Sequence, residues 1–324
     1  MIELRADGEF FNPTDTLECG QVFRYKKIDG ELCARFANIA ANNDANNAVN
    51  SAENYAGYNA ENDFENGGYI VFSGDKACFV YKKGGYTREK KETVIVCDDE
   101  NAEYFYNYFD LFRDYRKIYD RAINVGAEIL KKAAEAGKGV RILNQDKTEA
   151  VLSFIISQNN NIPRIQKSIE ALCAAAGEKR NFMGIDYYSF PQIAALADKT
   201  PEFYKGLGFG YRDLYMCEAV REISGGFFEK TKGQSGETLK KSLLSIKGIG
   251  EKVADCALLF GFHDTKSFPV DVWIEKTYKQ DFKGELNDRR KISEYFSSRF
   301  GEDSGYFQQY LFYYKRSIEN KKAE

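Results

Sequence analysis

The sequence predicts an α+β fold, an N-terminal antiparallel β-sheet followed by an all-helical body. Short β-branched and aromatic runs separated by turn residues fill the first hundred positions. From about residue 103 the apolar residues recur at helical spacing, and they continue so to the end. Within that second part a Gly-X-Gly turn, "KGIGEK" at 247–252, joins two helical patterns. The expected division is therefore a sheet domain at 1–102 and a helical domain at 103–324, reasonable for a chain of 324 residues.

The strand runs are "VFRYKKI" (22–28), "LCARFANIA" (32–40), "YIVF" (69–72), "ACFVYKK" (77–83) and "ETVIVCD" (92–98). Between the second and third lies 41–68, which holds nine Asn and five acidic residues but no basic one. Without a hydrophobic period, it reads as a flexible surface insertion.

Helical patterns follow. "DKTEAVLSFIISQ" (146–158) opens with Asp146 and Glu149 at capping-box spacing, then carries apolar residues on one face. "IPRIQKSIEALCAAAG" (162–177) has Pro163 in its first turn and Gly177 after its last. Others run near 213–223, 238–244, 250–261, 271–280, 289–299 and 305–318, which puts the hairpin at about 238–262.

Composition narrows the function. Aromatic residues make up 15% of the chain, far above a disordered composition. No run approaches the ~20 apolar residues of a membrane span, and the N-terminus is too polar for a signal peptide. The seven cysteines show neither disulfide nor zinc spacing, so reduced thiols and a cytoplasmic location are expected, nucleoid-associated if the source is bacterial. The net charge is −3, but the five acids of the Asn-rich segment account for more than that, and −3 + 5 leaves +2 on the rest. Nucleic-acid affinity depends on where Lys and Arg converge, so the total does not exclude it.

In "LLSIKGIGEKVADCALLF" (243–260) an apolar helix ends, Gly248 and Gly250 offer backbone conformations closed to other residues, and a second helix starts near Glu251. Backbone N–H groups at such a turn suit a phosphate anion and position a duplex without reading its sequence. Lys252 falls in the first turn of the second helix. There the positive end of the helix dipole and neighbours such as Val253 disfavour the ammonium form and favour a nucleophilic amine. Cys256 lies one turn on along the same face and can polarise it. Nineteen positions after the lysine comes Asp271, in "FPVDVW".

Taken together, the hairpin, Lys252, Pro269 and Asp271 resemble the helix-hairpin-helix/Gly-Pro-Asp superfamily of DNA glycosylases. "KVADC" and "PVDV" look most like its 8-oxoguanine DNA glycosylase branch. "CGQVFRY" (19–25), "SQNNNIPRI" (157–165), "GFGYR" (208–212) and "FQQYLF" (307–312) match in the same order. The resemblance implies a monomeric, bifunctional glycosylase and abasic-site lyase that acts on double-stranded DNA containing 8-oxoguanine, preferably opposite cytosine. It also implies that Lys252 attacks the sugar C1′ and forms a Schiff base while Asp271 stabilises developing positive charge. Asn159 would fill the gap left by the flipped base, Tyr211 would wedge the opposite strand, and Arg164 and Arg212 would donate to the estranged base. The Gly20 carbonyl would sense the proton on N7 of 8-oxoguanine, Gln308 would read the Watson–Crick edge, and Phe312 and Cys256 would sandwich the base.

Two departures stand out. Trp273 follows "PVDV" where many members have a histidine near the lesion's phosphate, and the lone His263 reads as a surface or turn residue. Endonuclease III and similar relatives hold an iron–sulfur cluster on C-terminal cysteines, but here no Cys follows position 256, so none is expected. No cofactor or structural metal is called for, apart from a monovalent cation that the resemblance would seat on hairpin carbonyls. The rival readings are an alkylated-purine glycosylase of the same superfamily, using the aspartate without a lysine nucleophile, and a non-catalytic hairpin module that binds phosphates alone.

Overall fold

The computed structural model describes residues 1–45, 67–83 and 91–323, so positions 46–66 of the Asn-rich segment lie outside the described residues. Five antiparallel strands form one sheet: β1 (Ile2–Asp7), β2 (Tyr25–Ile28), β3 (Gly68–Ser73), β4 (Lys76–Lys83) and β5 (Glu92–Cys97). Their order is β1-β5-β4-β3-β2. Both faces are covered, which is why β3 to β5 read as near-continuous apolar runs rather than alternating ones. One face packs Tyr69, Val71, Cys78, Val80 and Ile95 against Phe105, Tyr108 and Phe109 of and beside the helix Ala102–Tyr108. The other packs Ile70, Phe72, Phe79 and Val94 against Cys33, Phe36, Ala37 and Ala40.

Those last residues correct one expectation. The segment 32–40 is not a strand but part of a helix, Gly30–Ala45. Its buried positions 33, 34, 36, 37 and 40 follow a period near 3.6, and Asp29 accepts from Leu32 N at 2.9 Å at its start. The place of that strand is taken by β1, whose charged residues hid it. Arg5 lies on the sheet edge and pairs with Glu3 and with Glu92 across the strands.

The body is not wholly helical either. A second hairpin, β6 (Lys179–Phe182) and β7 (Ile185–Tyr188), turns through Met183 and Gly184, both at positive φ. It reaches back to the sheet: Tyr187 stacks on Phe72 at 4.7 Å between ring centroids and donates to the Asp75 carbonyl.

The centre of the body is the helix Lys147–Ile156, the core helix, in which every residue from Glu149 to Ile156 is buried. Antiparallel to it runs Glu251–Gly261, the lysine helix, buried from Val253 to Gly261. Phe154 stacks on Phe260 at 5.4 Å, and a Cβ on Gly261 would come within 3.0 Å of the Ala150 side chain, so the pair packs closely. With its partner Gly236–Leu244 the lysine helix forms the expected helix-hairpin-helix.

Candidate active site

Asp271 is the N-cap of the helix Val272–Gln280, and its Oδ1 accepts from Trp273 N and Ile274 N, each at 3.0 Å. Burial pushes its carboxyl above the ordinary range, against the pull of those two amides and of Lys252. Lys252 sits in the first turn of the lysine helix. Its Nζ donates to Ser157 Oγ at 3.3 Å and lies 5.3 Å from the Phe154 ring centre, so the amine is held inward by the end of the core helix. Cys256, one turn along, is buried; burial pushes its thiol up to about 11 although Lys252 pulls it down, so it stays protonated at neutral pH.

The C-terminal helix, Ser304–Ala323, closes the space opposite. Gln308 donates through Nε2 to the Pro269 carbonyl at 3.1 Å, while its Oε1 is buried without a hydrogen-bond partner among the described residues. A buried acceptor left unpaired is costly, which suits an atom awaiting a donor. Gly20 faces it from the turn before β2. Its φ of +93° demands glycine, and a Cβ there would lie 3.8 Å from Phe312. The carbonyls of Glu18 and Gln21 on either side accept from Arg316 and Gln145, whereas that of Gly20 accepts from no described residue.

All six residues expected to handle the lesion or its bond, Gly20, Lys252, Cys256, Asp271, Gln308 and Phe312, line one cavity of about 60 Å³. Phe154, Phe260, Pro269 and Gln309 complete it. A larger, more open cleft of about 360 Å³ at the far end of the core helix, around Tyr104, Asp146 and Lys147, contains none of these residues. Phe154 and Phe260 were legible only as core, and Gln309 was hidden beside its identical neighbour.

The residues expected to touch DNA gather beside the cavity, but not all as expected. Asn159 is exposed at φ +46°, just beyond the core helix, and Tyr211, 52% exposed, donates to the Gln158 carbonyl at 3.3 Å. The exposed Arg164 guanidinium bonds to no described residue. Arg212 is different: it is 4% exposed, and its guanidinium donates to the carbonyls of Gln158, Asn159 (3.0 Å) and Phe209 (3.1 Å). In this structure it neutralises the free carbonyls after the core helix and holds the Asn159 loop.

At the hairpin, Gly248 has φ +96°, and a Cβ would fall 2.3 Å from Tyr215 Cγ. Gly250, in contrast, is extended at φ −95°, with nothing within 4 Å of a Cβ, so neither backbone nor neighbours require glycine there. Gln158 Nε2 donates to the Gly248 carbonyl at 2.9 Å and ties the Asn159 loop to the hairpin. His263 turns inward, 3.4 Å from the buried Asp110, rather than out to solvent.

Comparison with known proteins places the chain in a family. Residues 3–151 match the family described as 8-oxoguanine DNA glycosylase, N-terminal domain. The solved Clostridium acetobutylicum 8-oxoguanine glycosylase/lyase in its apo-form is 30% identical, with 97% of this chain and 96% of that one covered and a TM-score of 0.77. The same protein in complex with double-stranded DNA containing cytosine opposite 8-oxoguanine gives 29%, 98%, 99% and 0.78. A probable N-glycosylase/DNA lyase of Methanothermobacter thermautotrophicus is 29% identical over 239 residues, 67% of this chain and 74% of that one. With 30% identity sustained over nearly the whole of both chains, the protein belongs to the 8-oxoguanine DNA glycosylase family.

Proposed function

We propose that this protein removes 8-oxoguanine from duplex DNA, with cytosine preferred opposite the lesion, and then cleaves the strand through a lysine Schiff base. The observation that carries the reading is the single cavity in which an inward-held amine, a part-buried carboxylate, an unpaired amide oxygen and an unpaired carbonyl converge. Lys252 Nζ attacks C1′ and the C1′–N9 bond breaks, its electron pair leaving with the base, which takes up a proton. Loss of a proton from nitrogen and opening of the sugar ring, whose oxygen takes up a proton, give the protonated imine; loss of a C2′ proton then breaks the C3′–O bond, and the 3′ phosphate leaves with the electron pair.

Each lining group has a part in this. Asp271, as carboxylate, stabilises positive charge developing on the sugar. The Gln308 Oε1 accepts from the N–H groups of the guanine edge, and the Gly20 carbonyl accepts from the N7 hydrogen that guanine lacks. Phe312 and the neutral Cys256 thiol enclose the ring. Arg164 supplies the free guanidinium for the opposite cytosine, and Asn159 and Tyr211 fill and wedge the duplex. Gly250 leaves the hairpin amides open to a phosphate, and a monovalent cation on hairpin carbonyls belongs to the same proposal.

Borohydride trapping tests the reading. The protein should become covalently linked to an 8-oxoguanine duplex, and Lys252→Gln should abolish the adduct. An adduct surviving in that variant refutes the lysine chemistry. Release of methylated purines without strand cleavage would support the alkylated-purine alternative instead.

A further inference from the structure

Gln308 and Gln309 are consecutive on the C-terminal helix, both buried and both at the cavity, yet they point apart by the ~100° that separates neighbours on a helix. Gln308 turns to the Pro269 carbonyl. Gln309 turns to the other wall, where its Nε2 donates to Cys19 Sγ at 3.0 Å. Resting on the reading of the site given above, we infer that Gln309 is a positioning residue for lesion discrimination: through the Cys19 thiol it locks the turn that carries the Gly20 carbonyl to the helix that carries Gln308.

The thiol is suited to that junction. It is buried, donates to the Thr16 carbonyl at 3.1 Å, and accepts from Gln309 and, at 3.4 Å, from Gln21. Burial raises its pKa, so the proton needed by Thr16 stays in place. Gln21 is itself fixed, donating to the Arg141 carbonyl at 2.7 Å and accepting from Leu143 N at 2.9 Å. Clamps thus stand on both sides of a glycine at φ +93°, the residue type with most freedom to rotate its peptide.

That rotation matters because the lesion and guanine differ at N7 by one hydrogen. A carbonyl aimed at N7 attracts the lesion and repels the lone pair of guanine, and it does neither once turned aside. Gln309 links that aim to the helix reading the opposite edge of the base, so both contacts keep a common geometry. It touches neither bond broken in the reaction.

The test compares two reactions: single-turnover release of 8-oxoguanine opposite cytosine, and borohydride trapping on a duplex that already contains an abasic site, where no base is read. Gln309→Leu and Cys19→Ala should each slow base release about tenfold, the scale of one buried hydrogen bond, with a much smaller loss in abasic-site trapping. The double variant should lose little more than either single one, and Cys19→Ser, whose hydroxyl can both donate and accept, should recover most of the rate. Equal losses in both reactions, or wild-type base release by Gln309→Leu, would overturn the inference. Failure of the underlying reading shows elsewhere, as a wild-type protein that releases no 8-oxoguanine at all.

Discussion

Asp271 caps its helix, and in the proposed reaction it would also stabilise charge on the sugar, two roles that one substitution can separate. Asparagine caps a helix about as well as aspartate, so Asp271→Asn should melt within a degree or so of wild type. It lacks the negative charge, and single-turnover excision should fall by about 10²–10³-fold, the usual scale for one preorganised electrostatic group. Because burial raises the carboxyl's pKa, the wild-type rate should decline on the acid side at a pH above the ordinary carboxylate range, as the group takes up a proton and loses its charge. A rate–pH profile with no such limb in wild type would contradict that role. At this scale the sequence was most legible where chemistry is local, as in the string from Lys252 to Asp271. It was least legible for Arg212, whose donors are occupied by carbonyls of a loop more than fifty residues away, and for Gln309, whose direction only the helix reveals.

Among the elements, the hairpin turn carries two glycines with different physical reasons. Gly248→Ala places a Cβ against the stem of Tyr215 at an unfavourable φ and should cost about 2–5 kcal/mol in denaturant unfolding. Gly250→Ala meets nothing in the protein and should unfold like wild type, yet bind duplex DNA about tenfold more weakly, as expected if a phosphate approaches the turn and loses a charged hydrogen bond. Equal affinity in Gly250→Ala would remove the phosphate role. Periodicity identified the long buried helices and β3 to β5 because their faces are continuous. It failed at 32–40, where part of an alanine-rich helix covering a sheet carries enough apolar residues to pass for a strand, and at the hairpin after residue 178, whose Met-Gly turn lacks the usual Asn-Gly or Asp-Gly signal.

Across the molecule, sheet and body are joined by the fully buried Arg24. It donates to the carbonyls of Tyr188 at 2.5 Å and Gly74 at 3.3 Å, and lies 3.7 Å from Glu149 of the core helix, which in turn accepts from Gly74 N. Arg24→Leu leaves that carboxylate buried without its cation and should cost about 3–5 kcal/mol near pH 8. Burial already pushes Glu149 up to about 7, so the folded state favours the protonated form more than the unfolded chain does. The penalty should therefore be smallest as the pH is lowered toward 5 and grow as the pH rises above about 7, where wild-type Glu149 ionises but the variant's resists it; a loss independent of pH in melting experiments would argue against the assignment. The order of sheet and body was readable from the sequence. The bond between them was not, since Arg24 sits in an apolar run and the partners named above come from three separate stretches of chain.

Among the described residues, the cavity wall draws on the first 145 positions through Gly20 alone, and its other nine residues lie between Phe154 and Phe312. On the proposed reading, the carbonyl that tells 8-oxoguanine from guanine at N7 thus comes from a different part of the chain than the groups that break the bond. Grafting an alternative loop at 19–21 becomes the natural way to redirect the enzyme toward other oxidised bases, with the scissile apparatus carried over intact.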